Sequence, residues 1–320
     1  MRNAFASEIT ELAGVDDRVT LLSGDIGNRM FDSFKEKFPK RFLNCGVAEA
    51  NMTGMAAGMA MCGLRPVTYT IAPFATTRCL EQIRVDLCCH KLPVVIAGVG
   101  AGLSYASLGP THHSCEDLAF LRSLPGMTVL CPGDSWEVAG LLRAAMQHDG
   151  PVYLRLGKKN EPKIHDAVPD LEIGKGFVLQ EGRDVCLLSV GTMLPVAVEA
   201  AERLAQRGLS VKLVSLHTVK PLDESLLADA FSKCDLVASI EEHSLLGGLG
   251  GAVAEWLADH DQGEPRARLL RFGTPDTFAH SAGSLDDLRR EFGLDGDQIS
   301  RRILDALDDR RGRQVRDPAA

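Results

Sequence analysis

Short apolar runs alternate along the chain with segments of helical periodicity, and this alternation limits the fold more than any other feature. Val19–Ser23 is typical of a buried strand, and it follows a segment in which Phe5, Ile9 and Leu12 share one helical face. Strands that alternate with helices form βαβ units, whose strands pair in parallel and whose helices cover the sheet. The sequence therefore predicts an α/β fold with mainly parallel sheets flanked by helices.

Two rounds of this alternation are present, separated by a charged, proline-containing stretch with no regular pattern. In the first round, further strands are expected at residues 66–70, 93–98, 127–131 and 152–156, and helices at about 48–62, 74–90 and 135–147. In the second round, strands are expected at residues 185–190, 210–215, 236–240 and 268–272, and helices at about 194–207, 223–233, 248–259 and 297–307. We therefore predict two domains, 1–160 and 177–320, joined by a linker at 161–176.

Charge and cysteine usage argue against several classes of function. The net charge is −8 with no basic stripe to offset it, which does not favour nucleic-acid binding. The apolar runs are too short or too interrupted to span a bilayer, and the first residues show no signal-peptide pattern. Nine cysteines are scattered without a Cys-x-x-Cys pair or a spacing suited to zinc. We expect a cytoplasmic protein with reduced thiols and no metal-ligating residues.

Glu49 is the first candidate functional residue. A carboxylate in the first turn of a helix is ordinarily a partner of the helix dipole. The residues after Glu49 carry hardly a charge, however, so this helix is expected to be buried on several faces. Burial favours the protonated form of such a carboxyl group, whereas the helix dipole favours the ionised form. A carboxyl group in that position can share a proton with a heterocyclic nitrogen.

Two further candidates lie at the ends of predicted strands. Ligands of parallel sheets bind beyond the carboxyl ends of the strands, where Phe74 could stack on a flat ring, although a single Phe is more often core. The loop Gly109-Pro110-Thr111-His112-His113 follows a run of Gly and small residues. Its paired histidines indicate polar substrate contacts or acid–base chemistry.

A glycine-rich turn into a helix, at residues 247–251, is a weaker candidate. Free backbone N–H groups at such a turn can bind phosphate. The turn lacks the P-loop lysine and the Gly-x-Gly-x-x-Gly spacing, so close packing of a strand on a helix is the favoured interpretation.

Together and in this order, these segments resemble one family. GVAEANMTGMAAGMA, PFATTRCLEQIR, LGPTHHSCEDLAFLRSLPGMTVLCPGD and GPVYLRLGKKNEP resemble the pyrimidine-binding domain of transketolases, and SVGTML, HTVKPLD and EEHSLLGGLG resemble their C-terminal domain. The same superfamily includes 1-deoxyxylulose-5-phosphate synthases and the β subunits of 2-oxoacid dehydrogenases. The resemblance covers nearly the whole chain and implies thiamine diphosphate as cofactor.

The resemblance also implies roles for individual residues at the cofactor. Glu49 corresponds to the catalytic glutamate that hydrogen-bonds the aminopyrimidine ring, and Phe74 to the aromatic residue that stacks on that ring. Ile71 is expected beside them as a third cofactor-binding residue. No residue of this chain is expected to bind the metal ion.

At the substrate, the resemblance is partial. His112 corresponds to a catalytic histidine that contacts the hydroxyl groups of the donor, and His113 is expected to bind substrate beside it. Arg2 and Lys158 fall near the positions at which transketolases hold a sugar phosphate with two arginines. Lys158 is therefore a change from Arg. Arg29 stands where those enzymes have a small phosphate-contacting serine.

Two more departures from the family pattern put ordinary pentose phosphates in doubt as substrates. Gly100 stands where transketolases have a phosphate-contacting histidine, and Leu108 stands where they have an aspartate that recognises a sugar hydroxyl. The half of the site that faces the cofactor therefore matches the family, whereas the half that recognises the sugar differs from it.

The family's motif for the diphosphate and Mg²⁺, Gly-Asp-Gly followed further along by Asn, is missing. The nearest segments, Ser23-Gly24-Asp25-Ile26-Gly27-Asn28 and Leu294-Asp295-Gly296-Asp297, do not fit it. The resemblance thus implies a separate subunit, equivalent to the N-terminal half of a transketolase, that carries this motif and holds Mg²⁺. An α2β2 heterotetramer is expected, with the cofactor between chains.

The function that follows is transfer of a two-carbon ketol unit from a ketose donor to an aldehyde acceptor. A decarboxylating synthase resembling 1-deoxyxylulose-5-phosphate synthase is an alternative, in which Arg78 and Arg155 would bind the carboxylate of pyruvate. A 2-oxoacid dehydrogenase β subunit is a third possibility, although the paired histidines follow the sugar enzymes more closely.

Overall fold

The computed structural model describes residues 1–27, 29–260, 267–280 and 283–316. The chain forms two mainly parallel sheets, each flanked by helices, which confirms the predicted fold class. No helix among the described residues has the length and apolar character needed to cross a membrane.

The first sheet contains seven strands, six of them from the first half of the chain. These six are β1 (Val19–Ser23), β2 (Phe42–Asn44), β3 (Arg65–Ile71), β4 (Val95–Val99), β5 (Thr128–Leu130) and β6 (Val152–Leu156). They pair in parallel in the order β5-β6-β4-β3-β1-β2. The sequence predicted all of these except β2, a short edge strand that is only partly buried.

Helices connect these strands. They are α1 (Arg2–Val15), α2 (Asp32–Lys37), α3 (Glu49–Met61), α4 (Ala72–Ala75), α5 (Leu80–Gln82), α6 (Asp117–Arg122) and α7 (Ser135–Gln147), with 3₁₀ turns at Pro39–Arg41, Thr77–Cys79 and Ala106–Leu108. The helical stretch predicted at about residues 74–90 is helical over most of its length, but it is divided into α4, a 3₁₀ turn, α5 and the π-helix Ile83–Cys89. The break falls at Thr76, whose φ of −116° and ψ of −78° lie away from ideal helical values and whose hydroxyl donates to the Ala72 carbonyl.

The second half forms a five-stranded sheet in the order β12-β11-β8-β9-β7. Its strands are β7 (Phe177–Gln180), β8 (Val185–Ser189), β9 (Val211–Ser215), β11 (Leu236–Ser244) and β12 (Arg268–Thr274). Its helices are α8 (Leu194–Ala205), α9 (Glu224–Lys233), α10 (Leu249–Asp259), α11 (Leu285–Glu291) and α12 (Gly296–Arg316), and a 3₁₀ turn lies at Gly191–Met193. The antiparallel edge strand β7 was not predicted.

Residues 157–176, between β6 and β7, contain neither helix nor strand, although they are anchored to the first half. The Asp134 carboxylate accepts hydrogen bonds from the backbone N–H groups of Ile164 and His165, both at 2.9 Å. The His165 ring contacts Glu137 at 2.9 Å, and this bond raises the pKa of His165. The exact domain bounds 1–160, 161–176 and 177–320 stay a prediction.

Two features join the halves. Strand β10 (Thr218–Lys220) belongs to the second half but pairs antiparallel with β5, so it extends the first sheet. In addition, Arg155 at the end of β6 donates to the Glu242 carbonyl of β11 at 3.0 Å. The Glu242 carboxylate accepts from the Leu103 N–H at 2.8 Å and pairs with Arg289 at 2.6 Å. The loop after β4 is thereby fixed against the second half.

Candidate active site

The predicted site residues come from segments that follow parallel strands of the first sheet. Ile71 ends β3 and Phe74 follows it, Glu49 begins α3 shortly after β2, and Lys158 follows β6. Since the carboxyl ends of parallel strands lie at one edge of a sheet, these segments share that edge of the first sheet, and we call this region the cleft. Ile71 is buried there, in the same apolar cluster against which Phe74 packs.

The Glu49 side chain is 1% exposed, and both carboxylate oxygens have partners. Oε1 accepts a hydrogen bond from the Thr70 hydroxyl at 3.3 Å, and Oε2 accepts one from Arg78 Nη1 at 2.8 Å. The first turn of α3 contributes a favourable dipole to the ionised carboxylate. Glu49 is therefore a buried carboxylate at a helix N-terminus, paired with a half-exposed arginine.

Arg78 contacts Phe74 as well as Glu49. Its guanidinium carbon lies 4.0 Å from the centroid of the Phe74 ring, in a cation–π contact, while Nη1 donates to Glu49. One planar group with N–H donors can therefore lie on Phe74 and hydrogen-bond Glu49 at the same time. An aminopyrimidine ring is also planar, and its ring nitrogen can share a proton with a carboxyl group, so Glu49 and Phe74 fit the cofactor that the sequence predicts.

From Phe74 a row of side chains leads away from Glu49. The ring centroids of Phe74 and His112 lie 5.3 Å apart, and those of His112 and Tyr105 lie 5.8 Å apart. Lys158 Nζ lies 4.3 Å from the centroid of the Tyr105 ring. We call Arg78, Phe74, His112, Tyr105 and Lys158 the aromatic–cation row. It brings together three of the predicted site residues with Arg78, which the sequence named only as a carboxylate ligand of the alternative reaction, and it adds Tyr105.

The far end of this row is electropositive. Lys158 and Lys159 are adjacent in sequence, and burial, followed by the charges of Lys159 and Arg2, lowers the pKa of Lys158. Lys158 and Lys159 also line a cavity of about 410 Å³ between the two halves of the chain, where Glu161 and Asp286 are the acidic residues. Glu161 is paired with the Met1 amino group, and Arg289, which also lines the cavity, is paired with Glu242. An anionic group of a ligand would be attracted to this end of the row.

His113, Arg29 and Arg155 were also named from the sequence and are not members of the row. His113 is buried and lines a small cavity with Phe278 and Phe292, on the side of the second half, and its burial lowers its pKa. Arg29 is exposed in the turn before α2. Arg155, considered as a carboxylate ligand, is 1% exposed and paired with Asp117 at 2.8 Å, so it does not reach the cleft.

The glycine-rich turn before α10 is filled by a side chain of the protein itself. The Glu241 carboxylate accepts hydrogen bonds from the backbone N–H groups of Leu249 at 2.6 Å and Gly250 at 2.8 Å. A Cβ atom on Gly248 would lie 2.0 Å from Glu241 Oε2, so only glycine permits this approach. Burial raises the pKa of Glu241 to about 7. The turn therefore serves packing, as the sequence favoured, and leaves no free N–H pair for phosphate.

Comparison with known families agrees with this geometry. Residues 1–163 match the family described as "Transketolase, pyrimidine binding domain", and residues 174–299 match "Transketolase, C-terminal domain". The chain belongs to the transketolase family. Membership in this family implies dependence on thiamine diphosphate, and it makes the chain a subunit of an enzyme.

Individual transketolase relatives are similar over nearly the whole chain. A protein of Methanocaldococcus jannaschii named for the C-terminal section of transketolase is 36% identical over 310 residues, covering 96% of each chain. A 6-deoxy-6-sulfo-D-fructose transketolase subunit of Clostridium sp. is 35% identical over 302 residues, covering 94% of this chain and 92% of that one. A solved structure described as "Split gene transketolase, inactive beta4 tetramer" superimposes with a TM-score of 0.86 at 34% identity, covering 96% and 97%.

Proposed function

We propose that this chain is one subunit of a thiamine-diphosphate-dependent enzyme that transfers a two-carbon ketol unit from a ketose donor to an aldehyde acceptor. The observation that carries the proposal is the buried Glu49 carboxylate beside the Phe74 ring, where one planar N–H donor can contact both. When bound there, the cofactor supplies the nucleophilic carbon and the electron sink for making and breaking the carbon–carbon bond.

Glu49 and Phe74 would act on the pyrimidine ring. Phe74 presents an aromatic face, and Glu49 would hold a proton against a ring nitrogen. Arg78 now contacts both residues and would have to leave them. Its side chain is 42% exposed, so it can turn away from the cleft without disturbing the core. Displacement of Arg78 is therefore part of cofactor binding in this proposal.

The substrate would lie along the rest of the row. Thr111 Oγ1 lies 2.9 Å from His112 Nδ1 and so holds one ring nitrogen, which leaves Nε2 for a substrate hydroxyl. Leu108 is 48% exposed and offers no hydrogen bond, unlike the aspartate expected from the family. Arg2 and Lys158 supply positive charge at the far end. This distribution favours an anionic substrate other than the standard pentose phosphate pair. Arg29 and His113 are proposed as further contacts of that substrate.

A partner subunit would complete the site. This chain has no Gly-Asp-Gly motif followed by Asn, so the diphosphate and Mg²⁺ would be held by a separate chain. Exposed, uncharged residues lie at both ends of α3, with Val47 at 72% exposure just before the helix and Met61 at 57% at its last position, which suits a protein interface. One relative is named as a subunit, and another is an inactive assembly of β chains. We propose an α2β2 heterotetramer in the cytoplasm, where the nine free cysteines would stay reduced.

Calorimetry with thiamine diphosphate and Mg²⁺ tests the partner requirement. We expect no tight, Mg²⁺-dependent binding to the isolated chain, and binding once a partner with the Gly-Asp-Gly…Asn motif is added. Micromolar or tighter binding by the chain alone would refute the requirement.

The reconstituted complex then tests the substrate class, with kcat/KM measured for pentose phosphates, unphosphorylated ketoses, and pyruvate with aldehyde acceptors. The proposal predicts a ketose donor. A clear preference for pyruvate would favour a decarboxylating synthase instead. A kcat/KM of about 10⁴ M⁻¹s⁻¹ or more with xylulose 5-phosphate and ribose 5-phosphate, above that of all other pairs, would contradict the inference that the sugar-recognition half of the site differs in specificity from the family.

A further inference from the structure

Tyr105 has no role in the function described so far, yet it lies in the middle of the aromatic–cation row. It belongs to the loop after β4 and is 8% exposed. Its ring lies between His112 and Lys158, at 5.8 Å from the His112 centroid and 4.3 Å from Lys158 Nζ. The residue thus separates the part of the row near Glu49 from its electropositive end.

The Tyr105 ring occupies the space that a side chain at position 100 would need. A Cβ atom on Gly100 would lie 2.0 Å from Tyr105 Cε2 and 2.3 Å from Cδ2, and Gly100 has a φ of +88°. Only glycine tolerates both the backbone conformation and the contact. The missing side chain at position 100 is therefore matched by an aromatic ring that comes from five residues further along the chain.

The same ring also holds a cation in place. Lys158 has a flexible stem and can point in many directions, and a cation–π contact with Tyr105 restricts it to the row. The backbone around Tyr105 is fixed by the bond from the Leu103 N–H to Glu242, so the ring is a rigid support. A ligand anion would then meet an ammonium group whose position is set before binding.

We propose that Tyr105 is the positioning residue that gives this enzyme its preference for substrates with a charged distal end, because its ring fills the space over Gly100 and holds Lys158 against the row. The inference rests on the proposed function, since it assigns a specificity-determining residue to that same site. In this proposal the substrate is selected by Lys158, held by the Tyr105 ring, and not by a histidine at the position of Gly100.

The test compares two acceptors that differ in one charged group, glyceraldehyde 3-phosphate and glyceraldehyde, in the reconstituted enzyme. The quantity measured is the ratio of their kcat/KM values for the parent, Tyr105→Leu, Tyr105→Phe, Lys158→Met, and the double variant Tyr105→Leu/Lys158→Met. Trp136→Leu is the matched control, because Trp136 also lies under a lysine, Lys163 at 5.5 Å, outside the row.

Tyr105→Leu should reduce the ratio about fivefold, through a higher KM for the phosphorylated acceptor, since a cation–π contact contributes on the order of 1 kcal/mol. Tyr105→Phe keeps the ring and should stay near the parent ratio, as should Trp136→Leu. Lys158→Met should reduce the ratio by a similar factor. The ratio of the double variant should be only slightly lower, because both changes remove the same interaction between Lys158 and Tyr105.

A parent-like ratio in Tyr105→Leu, or additive losses in the double variant, would overturn the proposal. If Tyr105→Leu does not fold, a parent-like ratio in Lys158→Met would overturn it in the same way. A parent enzyme that transfers a ketol unit to no aldehyde acceptor, these two included, would instead refute the proposed function.

Discussion

The buried pair of Asp117 and Arg155 makes a strong prediction about stability. Both side chains are 1% exposed. The Asp117 carboxylate accepts hydrogen bonds from Arg155 Nε at 2.8 Å, from Arg155 Nη2 at 3.0 Å and from the Tyr153 hydroxyl at 2.6 Å. Asp117→Asn keeps the shape of the side chain but removes its charge, and leaves the Arg155 charge buried without a counter-ion.

Two estimates give the size of the effect. Two unit charges at this separation attract by roughly 6 kcal/mol at an effective dielectric constant of about 20. Arg155 keeps its bonds to the carbonyls of Ser114 and Glu242, which offsets part of the loss. Breaking a buried pair from one side generally costs about 3–5 kcal/mol, and we expect a loss of unfolding free energy in that range.

The pH dependence follows from the same contacts. Burial acts to raise the pKa of Asp117, but the attraction and hydrogen bonds of Arg155 outweigh it, so the pKa is lowered on folding. The contribution of Asp117 is thus fully present above the pKa of the unfolded chain and is lost as pH falls through the lower, folded value. Asp117→Asn should therefore show a weaker loss of stability in acid than the parent.

Urea unfolding followed by circular dichroism measures both effects. The matched control is Asp117→Leu/Arg155→Met, which removes both charges and should cost less than Asp117→Asn alone. A loss below about 1 kcal/mol in Asp117→Asn, or a larger loss in the double variant, would show that the pair does not act as described.

Two further predictions concern Arg78 and Glu241. Arg78→Leu removes the side chain that contacts Glu49 and Phe74, so thiamine diphosphate should bind the complex a few-fold more tightly by calorimetry; weaker binding would mean that Arg78 assists the cofactor. Glu241 has a pKa raised by burial from 4.5 to about 7, so stability should fall as pH rises across that interval. Glu241→Gln should remove this slope in urea titrations, and an unchanged slope would assign it to another group.

The sequence predicted the strands that are buried almost throughout and missed strands that are partly exposed, for a physical reason. β1, β3, β4 and β6 are apolar because they are buried almost throughout, so their composition alone identifies them, and the three buried residues of β5 extend a similar apolar run. β2 and β10 also have three residues each, but neither is buried over its whole length, and β10 pairs with a strand distant in sequence.

The candidate site was partly predictable. Glu49, Phe74 and His112 were named from the sequence because they lie in motifs that occur in the same order as in the family. The structure places Phe74 against His112, and Arg78 contacts both Phe74 and Glu49. The role of Tyr105 was not predictable, since it depends on how the loop after β4 folds back over Gly100.

His113 shows the same limit. It directly follows His112, yet it points to the other half of the chain, because the direction of a side chain in a loop depends on tertiary contacts.

Hydrogen–deuterium exchange at C2 of thiamine diphosphate, followed by NMR in the reconstituted complex, tests the central claim most directly. If Glu49 holds the proton at the pyrimidine ring, Glu49→Gln should slow exchange by roughly 10²–10⁴ while the complex still assembles, because an amide of the same shape cannot exchange that proton. Unchanged exchange in an assembled Glu49→Gln complex would contradict the assignment of Glu49, and with it the proposed site.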